Sequence, residues 1–278
     1  MTLMALIILL VVALSTIMAF VWLVVFRAGR SGWVDAIWTF AVGAGGIAAS
    51  LAPVGQSHDI STRQWLVAAL VAVWSLRLGL HIAARTIRDG DDPRYRWLRL
   101  QWGEDFRRRL FWFLQIQAAA ALLLILSIMS AAHRPAPGLG LSDLLGLVIF
   151  SVAVIGATLA DRQLSRFGAD PDNKGKVYAA GLWRFSRHPN YFFEWLGWVA
   201  YAAIAIDLGG SYLWGWFALA GPFLMYWLLV HVSGIPPLEA HMLRSRGDRF
   251  RDYQQRVNTF WPGPPTESLS DNGAGGSR

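Results

Sequence analysis

The sequence contains no cysteine, which excludes a disulfide framework, an iron–sulfur cluster and any zinc site built from thiolates. Charged residues make up only 15% of the 278 positions, against roughly 25% in a typical soluble domain. A Gly-rich dinucleotide fingerprint, a Walker phosphate loop, a Gly-x-Ser-x-Gly elbow and a His-Glu-x-x-His motif are also missing. These absences argue against Rossmann, P-loop and α/β-hydrolase enzymes, and we predict no metal site.

Apolar residues dominate instead. Hydrophobic residues make up 55% of the chain, which includes 15 Trp, and the mean hydropathy is +0.38. A transmembrane helix needs roughly 20 apolar residues. We therefore predict an all-α polytopic membrane protein, a bundle of seven transmembrane helices at 3–26, 33–52, 64–84, 110–132, 141–160, 192–206 and 212–232. The first segment is too long for a cleaved signal peptide and is expected to span the membrane.

The basic residues predict the orientation of these helices. The loop at 85–109 carries eight Arg and the stretch at 162–187 carries six basic residues, whereas the opposite loops hold only Arg63 and Arg134. The positive-inside rule then predicts an outside N-terminus and a cytoplasmic C-terminus. Membrane topology and anionic membrane lipids explain the net charge of +7, and no nucleic-acid partner is predicted.

The C-terminal part is predicted to change character twice. Residues 236–257 favour a cytoplasmic helix or helix pair that caps the bundle, with an interfacial amphipathic helix as the alternative. Residues 262–278 are rich in Pro, Gly and Ser and predict a disordered tail. We therefore expect one integral membrane domain over 1–261.

Two polar clusters interrupt the early apolar helices. Asp35 and Trp38 share one helix face, and a carboxylate at that depth favours a functional role or an ion pair with Arg27, Arg30 or Arg77. The second cluster has helical i, i+4, i+8 spacing, and its members are Arg77, His81 and Arg85. Their like charges repel one another unless a polyanion such as a cofactor diphosphate binds to them. Snorkelling to the interface is the alternative, and it suits the last of the three best.

A third cluster occupies residues 181–194, directly before an apolar run. Within eleven positions it gathers ionisable and polar side chains: Arg184, Arg187, His188, Asn190, Tyr191 and Glu194. A turn-rich loop upstream adds Asn173 and Lys174. Guanidinium forks together with lysine charges suit phosphate binding.

At these motifs the sequence resembles the steroid 5α-reductase superfamily (3-oxo-5α-steroid 4-dehydrogenase-like membrane reductases), in particular its bacterial members. The resemblance covers most of the chain, at residues 35–38, 77–85, 91–96, 161–164, 173–176, 181–194, 239 and 260–264. It implies a seven-helix bundle in the bacterial inner membrane that binds NADPH from the cytoplasm and admits a lipid-like substrate laterally. The Arg-His-Pro portion is also similar to isoprenylcysteine and phospholipid methyltransferases.

The resemblance also implies roles by position. Asn173, Arg184, Asn190 and Tyr191 match nucleotide-contacting positions, and His81 with Arg85 matches a basic pair. Glu194 matches a residue near the nicotinamide, and Glu239 falls where the C-terminal segment closes over the cofactor. The chain departs from the steroid enzymes at the substrate carbonyl, where Ile82 replaces a Tyr and no Gln-Glu pair is present on the second helix. Asp35 is the nearest substitute for that pair.

The expected activity is therefore NADPH-dependent reduction of a carbon–carbon double bond conjugated to a carbonyl. The catalytic candidates are Asp35, Tyr191 and Glu194. The expected cofactor contacts are Trp38, Arg77, His81, Arg85, Asn173, Lys174, Arg184, Arg187, His188, Asn190, Tyr191, Glu194 and Glu239. An S-adenosylmethionine-dependent membrane methyltransferase is the alternative, since it would use the Arg-His-Pro element and Glu239. A non-catalytic sterol-binding protein is a third possibility.

Overall fold

The computed structural model describes residues 2–28, 31–53, 59–89 and 93–266. Every regular element in these ranges is helical, which confirms the all-α prediction for this part of the chain. The α-helices are α1 (Leu3–Ala28), α2 (Trp33–Leu51), α3 (Thr62–Asp89), α4 (Pro93–Trp102), α5 (Phe106–Ala132), α6 (Leu141–Ala169), α7 (Pro189–Ala205), α8 (Ala220–Trp227), α9 (Ile235–Arg246) and α10 (Asp248–Arg256). Residues 91 and 92 of the motif at 91–96, and the predicted tail from 267 onward, lie outside the described residues.

Six helical segments of the described chain are long and apolar enough to cross a membrane, which indicates an integral membrane protein. They are Leu3–Arg27, Trp33–Leu51, Thr62–Arg88, Trp97–Ala132, Leu141–Ala169 and Leu213–Arg246. The seventh predicted span, 192–206, corresponds to α7, whose 17 residues fall short of the roughly 20 that a full crossing needs. The count of seven spans is therefore not confirmed.

The chain divides into two compact units, one formed by Met1–Leu147 with Val199–Leu224 and the other by Val148–Trp198 with Met225–Arg278. We call them the first and the second unit. In the first unit α2 packs against α3 and α5, and α1 packs against α5. The contact between α2 and α3 is close because Gly43 faces Ser75, whose side chain occupies the space that a Cβ would need. Small residues at such contacts are typical of membrane helices.

A buried ion cluster closes the connection between α5 and α6 in the first unit. The Arg63 guanidinium meets the Asp143 carboxylate at two points, Nε–Oδ1 at 2.7 Å and Nη2–Oδ2 at 2.9 Å. Its other N–H groups donate to the backbone carbonyls of residues 134, 136 and 138. Arg134 lies 3.6 Å from the same carboxylate. One aspartate therefore holds both arginines of the predicted outer loops.

In the second unit, α6 and α7 approach closely because Gly156 lies against the ring of Phe193, where a side chain would not fit. The predicted helix pair at 236–257 is present as α9 and α10; its place as a cap over the bundle stays a prediction. The last two helices share a small core of Phe250, Tyr253 and Val257. Burial raises the pKa of the Tyr253 hydroxyl, which donates to the Trp183 carbonyl at 2.5 Å.

Candidate functional site

The segment that leads into α7 is held in place by local hydrogen bonds. Gly181 has a φ of +58° and lies against Gln163, whose side-chain oxygen accepts the N–H of Leu182 at 3.1 Å. The Ser186 hydroxyl accepts the N–H of His188 at 3.1 Å and donates to the Phe260 carbonyl at 3.0 Å. A proline then opens α7, where its fixed φ and missing N–H are compatible with a first turn. The two residues before that proline are thus fixed in orientation.

Arg187 is buried, and its guanidinium is saturated with hydrogen bonds. Nε and Nη2 contact the two carboxylate oxygens of Glu239 at 2.8 and 3.2 Å. Nη1 donates to the carbonyls of Gln254 and Val257 at 3.1 and 2.6 Å, and Nη2 also donates to the Thr259 hydroxyl at 2.7 Å. These contacts use all five N–H donors of a guanidinium. Arg187 therefore positions the site, and a direct cofactor contact by it would require one of these bonds to exchange.

His188 shares the carboxylate of Glu239. Its Nε2 lies 2.9 Å from Glu239 Oε1, and its ring stacks on Tyr191 with centroids 5.5 Å apart and planes inclined by 14°. Because a carboxylate only accepts hydrogen bonds, Nε2 carries the proton and Nδ1 keeps its lone pair in the neutral ring. Nδ1 is buried and has no hydrogen-bond partner among the described residues. Burial lowers the pKa of this imidazole, against the effect of its bond to Glu239.

Glu239, on α9, is the acceptor that joins these groups. Besides Arg187 and His188 it accepts a hydrogen bond from the Gln254 side chain at 2.7 Å. Sequence reasoning placed His188 and Glu239 at the site but missed Gln254 and Thr259. Each has a neutral polar neighbour in the sequence, Gln255 and Asn258 respectively, and their spacing carried no signal.

Asn190 and the residues that follow it form the first turns of α7. The Asn190 amide donates to Asp161 on α6 at 3.2 Å, while its oxygen accepts the N–H of Tyr191. Asp161 lies in the motif at 161–164, one of those that carry the family resemblance, but the resemblance implied no role for this residue. Glu194 is buried with 8% of its surface exposed, three positions after Tyr191 and therefore on the same side of the helix. Three predicted site residues thus share one stretch of α7.

Some side chains of the upstream loop stabilise the loop itself, and others are exposed cations. The Asn173 amide donates to the Phe167 carbonyl at 3.1 Å and to the Asp170 carboxylate at 3.3 Å, which closes a turn of the loop. Lys174 and Arg184 are exposed. The predicted phosphate contacts are therefore accessible at these two cations, whereas the Asn173 amide already has protein partners.

The remaining predicted residues belong to the first unit. Asp35 forms an ion pair with Arg94 on α4, a partner that was not predicted, and the predicted partner Arg30 lies outside the described residues. The Trp38 indole donates to the Gln117 carbonyl at 2.9 Å. The three members of the basic stripe lie on α3, the first two half-buried and the last exposed: Arg77, His81 and Arg85. Each of the three has an interaction partner within the protein.

An aromatic cluster flanks the α7 residues in the second unit. Rings of the C-terminal segment contact rings of α7 and α8 at centroid distances of 5.0 to 6.0 Å; the members are Phe192, Trp195, Tyr226, Phe260 and Trp261. This cluster packs residues 260–261 onto the two helices. In the part of the chain that the structure describes, no three His, Asp or Glu side chains converge as a metal site.

Comparisons with other proteins identify relatives of this chain. The family model described as a protein of unknown function, DUF1295, matches residues 21–257. An uncharacterized protein of Schizosaccharomyces pombe is 27% identical over 238 residues, 75% of this chain and 66% of that protein. A probable O-methyltransferase of Ustilaginoidea virens is 31% identical over 121 residues, 40% of this chain and 43% of that protein. No solved structure is significantly similar.

The matched segments thus span just under two thirds of the first relative and less than half of the second. The family match, in contrast, runs from within α1 to the residue after α10 and includes every predicted site residue from Asp35 to Glu239. The chain therefore belongs to the DUF1295 family.

Proposed function

We propose that this chain is a membrane-embedded reductase that uses NADPH to reduce a carbon–carbon double bond conjugated to a carbonyl in a lipid-like substrate. The observation that carries the proposal is the buried contact of Arg187 and His188 with Glu239. It fixes the first turn of α7, which carries Asn190 and Tyr191, residues through which the sequence resembles the steroid 5α-reductase superfamily. Buried charges are costly, and in membrane proteins they are typically retained for a ligand or a reaction.

The polar groups of the second unit fit a dinucleotide. The free Nδ1 of His188 is an acceptor, and the ribose hydroxyls and the carboxamide of a dinucleotide are donors. Lys174 and Arg184 offer exposed cations for phosphate groups. When bound, NADPH would supply a hydride to the β-carbon of the substrate.

The protein must then stabilise the negative charge on the substrate and deliver a proton to it. Hydride addition places negative charge on the carbonyl oxygen of the substrate, and a proton must reach the α-carbon to complete the saturated product. The carboxylate of Asp35 is already engaged in an ion pair with Arg94. We therefore assign proton delivery to Tyr191 or Glu194 and a binding role to Asp35.

Ligand binding tests the cofactor directly. In detergent-solubilised protein, NADPH at a hundred times its Kd should stabilise the folded state by about 2.7 kcal/mol, seen as a rise in Tm. Arg184→Gln and Lys174→Gln should weaken this effect, whereas Arg251→Gln, an exposed arginine on α10, should leave it intact. Stabilisation by S-adenosylmethionine alone would overturn the proposal.

Turnover tests the reaction. Hydrophobic enones and steroids are incubated with NADPH, and loss of NADPH absorbance is compared with the saturated product by mass spectrometry. Two variants are compared, Tyr191→Phe and Glu194→Gln. The one that removes the proton donor should lose turnover, while NADPH should still raise its Tm. If both variants reduce enones at the wild-type rate, the assigned donors are wrong.

A membrane methyltransferase is the second candidate, and two observations favour it. One relative is named a probable O-methyltransferase, although the match covers 40% of this chain. The pair of His188 and Glu239 also suits removal of a proton from a hydroxyl group by the free Nδ1, as methyl transfer to oxygen from adenosylmethionine would require. That cofactor has no phosphate, however, and would leave the exposed cations without a partner. Transfer of a labelled methyl group to extracted lipids would distinguish the two.

The same proposal includes the location of the protein. We propose insertion in the bacterial inner membrane with the N-terminus outside, because the basic loops and the site segments then share the cytoplasmic side with soluble nucleotides. Reporter fusions at the connection between α5 and α6 and after residue 266 test this. A periplasmic phosphatase reporter should be active at the first position and inactive at the second.

A further inference from the structure

The first unit contains a surface groove that the proposed reaction does not use. It has a volume of about 520 Å³ and lies between the end of α4 and the first turns of α5. Its walls are Trp102, Arg108, Arg109, Trp112, Phe113 and Ile116, together with the carboxylate of Asp105. The groove therefore combines guanidinium groups with aromatic and aliphatic surface.

The lining residues of α5 are ordered by polarity along the helix. Arg108 and Arg109 come first, Trp112 and Phe113 follow one turn later, and Ile116 lies one turn further on. Eight residues of helix rise about 12 Å, the distance over which a phospholipid changes from headgroup to acyl chain. Trp112 and Ile116 are 60% and 68% exposed, within a segment long and apolar enough to cross a membrane. Exposed apolar side chains on such a helix suit contact with lipid.

The charges of the groove favour an anion. Asp105 lies 3.4 Å from Arg109, and it is the one carboxylate among the lining residues, which include two guanidinium groups. Arg108 is exposed and has no hydrogen-bond or ion-pair partner within the described ranges. Arg107 is engaged elsewhere, 3.8 Å from the centre of the Phe26 ring. One net positive charge therefore faces the groove at the level of its polar end.

We propose that this groove binds an anionic membrane phospholipid. Arg108 and Arg109 hold the headgroup phosphate by charge-assisted hydrogen bonds, Trp112 lies at the glycerol level, and Ile116 contacts the upper acyl chain. A soluble phosphate compound would satisfy the guanidinium groups alone and would leave the apolar wall in water. The proposed lipid is a bound structural lipid rather than a substrate. Its binding does not depend on whether the enzyme is a reductase or a methyltransferase.

The test compares protein in nanodiscs of phosphatidylcholine with protein in nanodiscs that also contain phosphatidylglycerol. Phosphatidylglycerol should raise the Tm, and native mass spectrometry should detect it retained on the protein. Arg108→Gln and Arg109→Gln should each weaken its retention about fivefold, the effect of one basic residue at a membrane surface. Arg249→Gln with Arg251→Gln, exposed arginines of α10, serves as the matched control and should retain the lipid.

Further measurements separate the alternatives. Inorganic phosphate and glycerol 3-phosphate are titrated at constant ionic strength, and a Tm rise equal to that of phosphatidylglycerol would show a site for free phosphate and overturn the proposal. Full lipid retention by the double variant of Arg108 and Arg109 would also overturn it. Trp112→Ala should lower retention of the lipid without changing any response to phosphate. The Tm rise with NADPH, read in the same samples, reports on the proposed enzyme separately.

Discussion

Arg187 and Glu239, 52 residues apart in the chain, form a two-point ion pair with N–O distances of 2.8 and 3.2 Å. Both side chains are largely buried, with 8% and 13% of their surface exposed. Because a buried guanidinium without its carboxylate is far more costly than an intact pair, the two residues depend on each other.

Removal of the carboxylate charge at Glu239 should therefore destabilise the protein. We expect Glu239→Gln to lower the free energy of unfolding by about 3 to 5 kcal/mol, because the guanidinium of Arg187 stays buried. Asp248→Asn, which breaks an exposed ion pair with Arg251, should have little effect. Thermal unfolding in detergent measures both variants, and equal Tm values for the two would contradict the buried role of Glu239.

His188 should make the stability depend on pH. Burial lowers the pKa of its imidazole below the ordinary value of 6.5, so the unfolded chain binds a proton near that pH that the folded chain does not bind. The stability that depends on neutral His188 is thus complete above pH 6.5 and declines as the pH falls through 6.5 towards the lowered folded pKa. The slope for one proton is at most about 1.4 kcal/mol per pH unit.

His188→Gln should flatten this dependence of Tm on pH. His241→Gln removes an exposed histidine of α9 and should leave the slope unchanged. An unaltered slope in the His188 variant would show that other groups cause the loss of stability in acid.

Asp143 should be indispensable for the first unit, since two arginines share its carboxylate. We expect Asp143→Asn to destabilise the protein by about 3 to 5 kcal/mol. Arg63→Met combined with Asp143→Leu removes both buried charges and should restore part of that loss. If the double variant unfolds at a lower temperature than Asp143→Asn, the hydrogen bonds of Arg63 to the loop carbonyls matter more than the charge balance.

The close contact of α2 and α3 predicts a coupled pair of substitutions. Gly43→Ala places a methyl group where the Ser75 side chain lies and should cost about 1 to 3 kcal/mol. Ser75→Gly clears that space, so the double variant should be more stable than the sum of the two single effects predicts. A double-mutant cycle on Tm values checks this, and strict additivity would show that the helices adjust instead.

Asp35 and Arg94 should act as one unit in turnover. If the ion pair serves binding, Asp35→Asn and Arg94→Gln should each lower activity, and the double variant should be no worse than either alone. NADPH should stabilise all three variants as it does the wild type. Complete loss of turnover in Asp35→Asn alone would instead identify Asp35 as the proton donor.

Hydropathy predicted the membrane helices well, because twenty apolar residues determine a span by themselves. The predicted segment 33–52 and α2 differ by one residue. The prediction failed where helices continue beyond their apolar part: α3 extends to Asp89 and α6 to Ala169, well past the predicted ends at 84 and 160. The last predicted span, 212–232, contains short 3-10 and π turns around α8, which hydropathy does not resolve.

The candidate site was predictable as a set of residue types and only partly as a set of contacts. His188 and Glu239 were predicted as separate cofactor contacts, and the structure joins them by a hydrogen bond. Three acceptors of Arg187, the Gln254 and Val257 carbonyls and the Thr259 hydroxyl, depend on how residues 254–259 fold back. No local pattern encodes a backbone carbonyl as a partner, and such contacts follow only from tertiary structure.

The hydrogen bonds of Arg187 set a lower limit on the length of a working chain. Residues 254–259 supply three of its acceptors, Ser186 donates to the Phe260 carbonyl, and Gly263 donates its N–H to the Phe185 carbonyl at 3.0 Å. A truncation before residue 254 would remove all of these partners, and the segment that leads into α7 would lose the hydrogen bonds that hold it to the C-terminal residues. An affinity tag placed after residue 266 keeps every one of them, and the shortest chain that does so ends at Gly263.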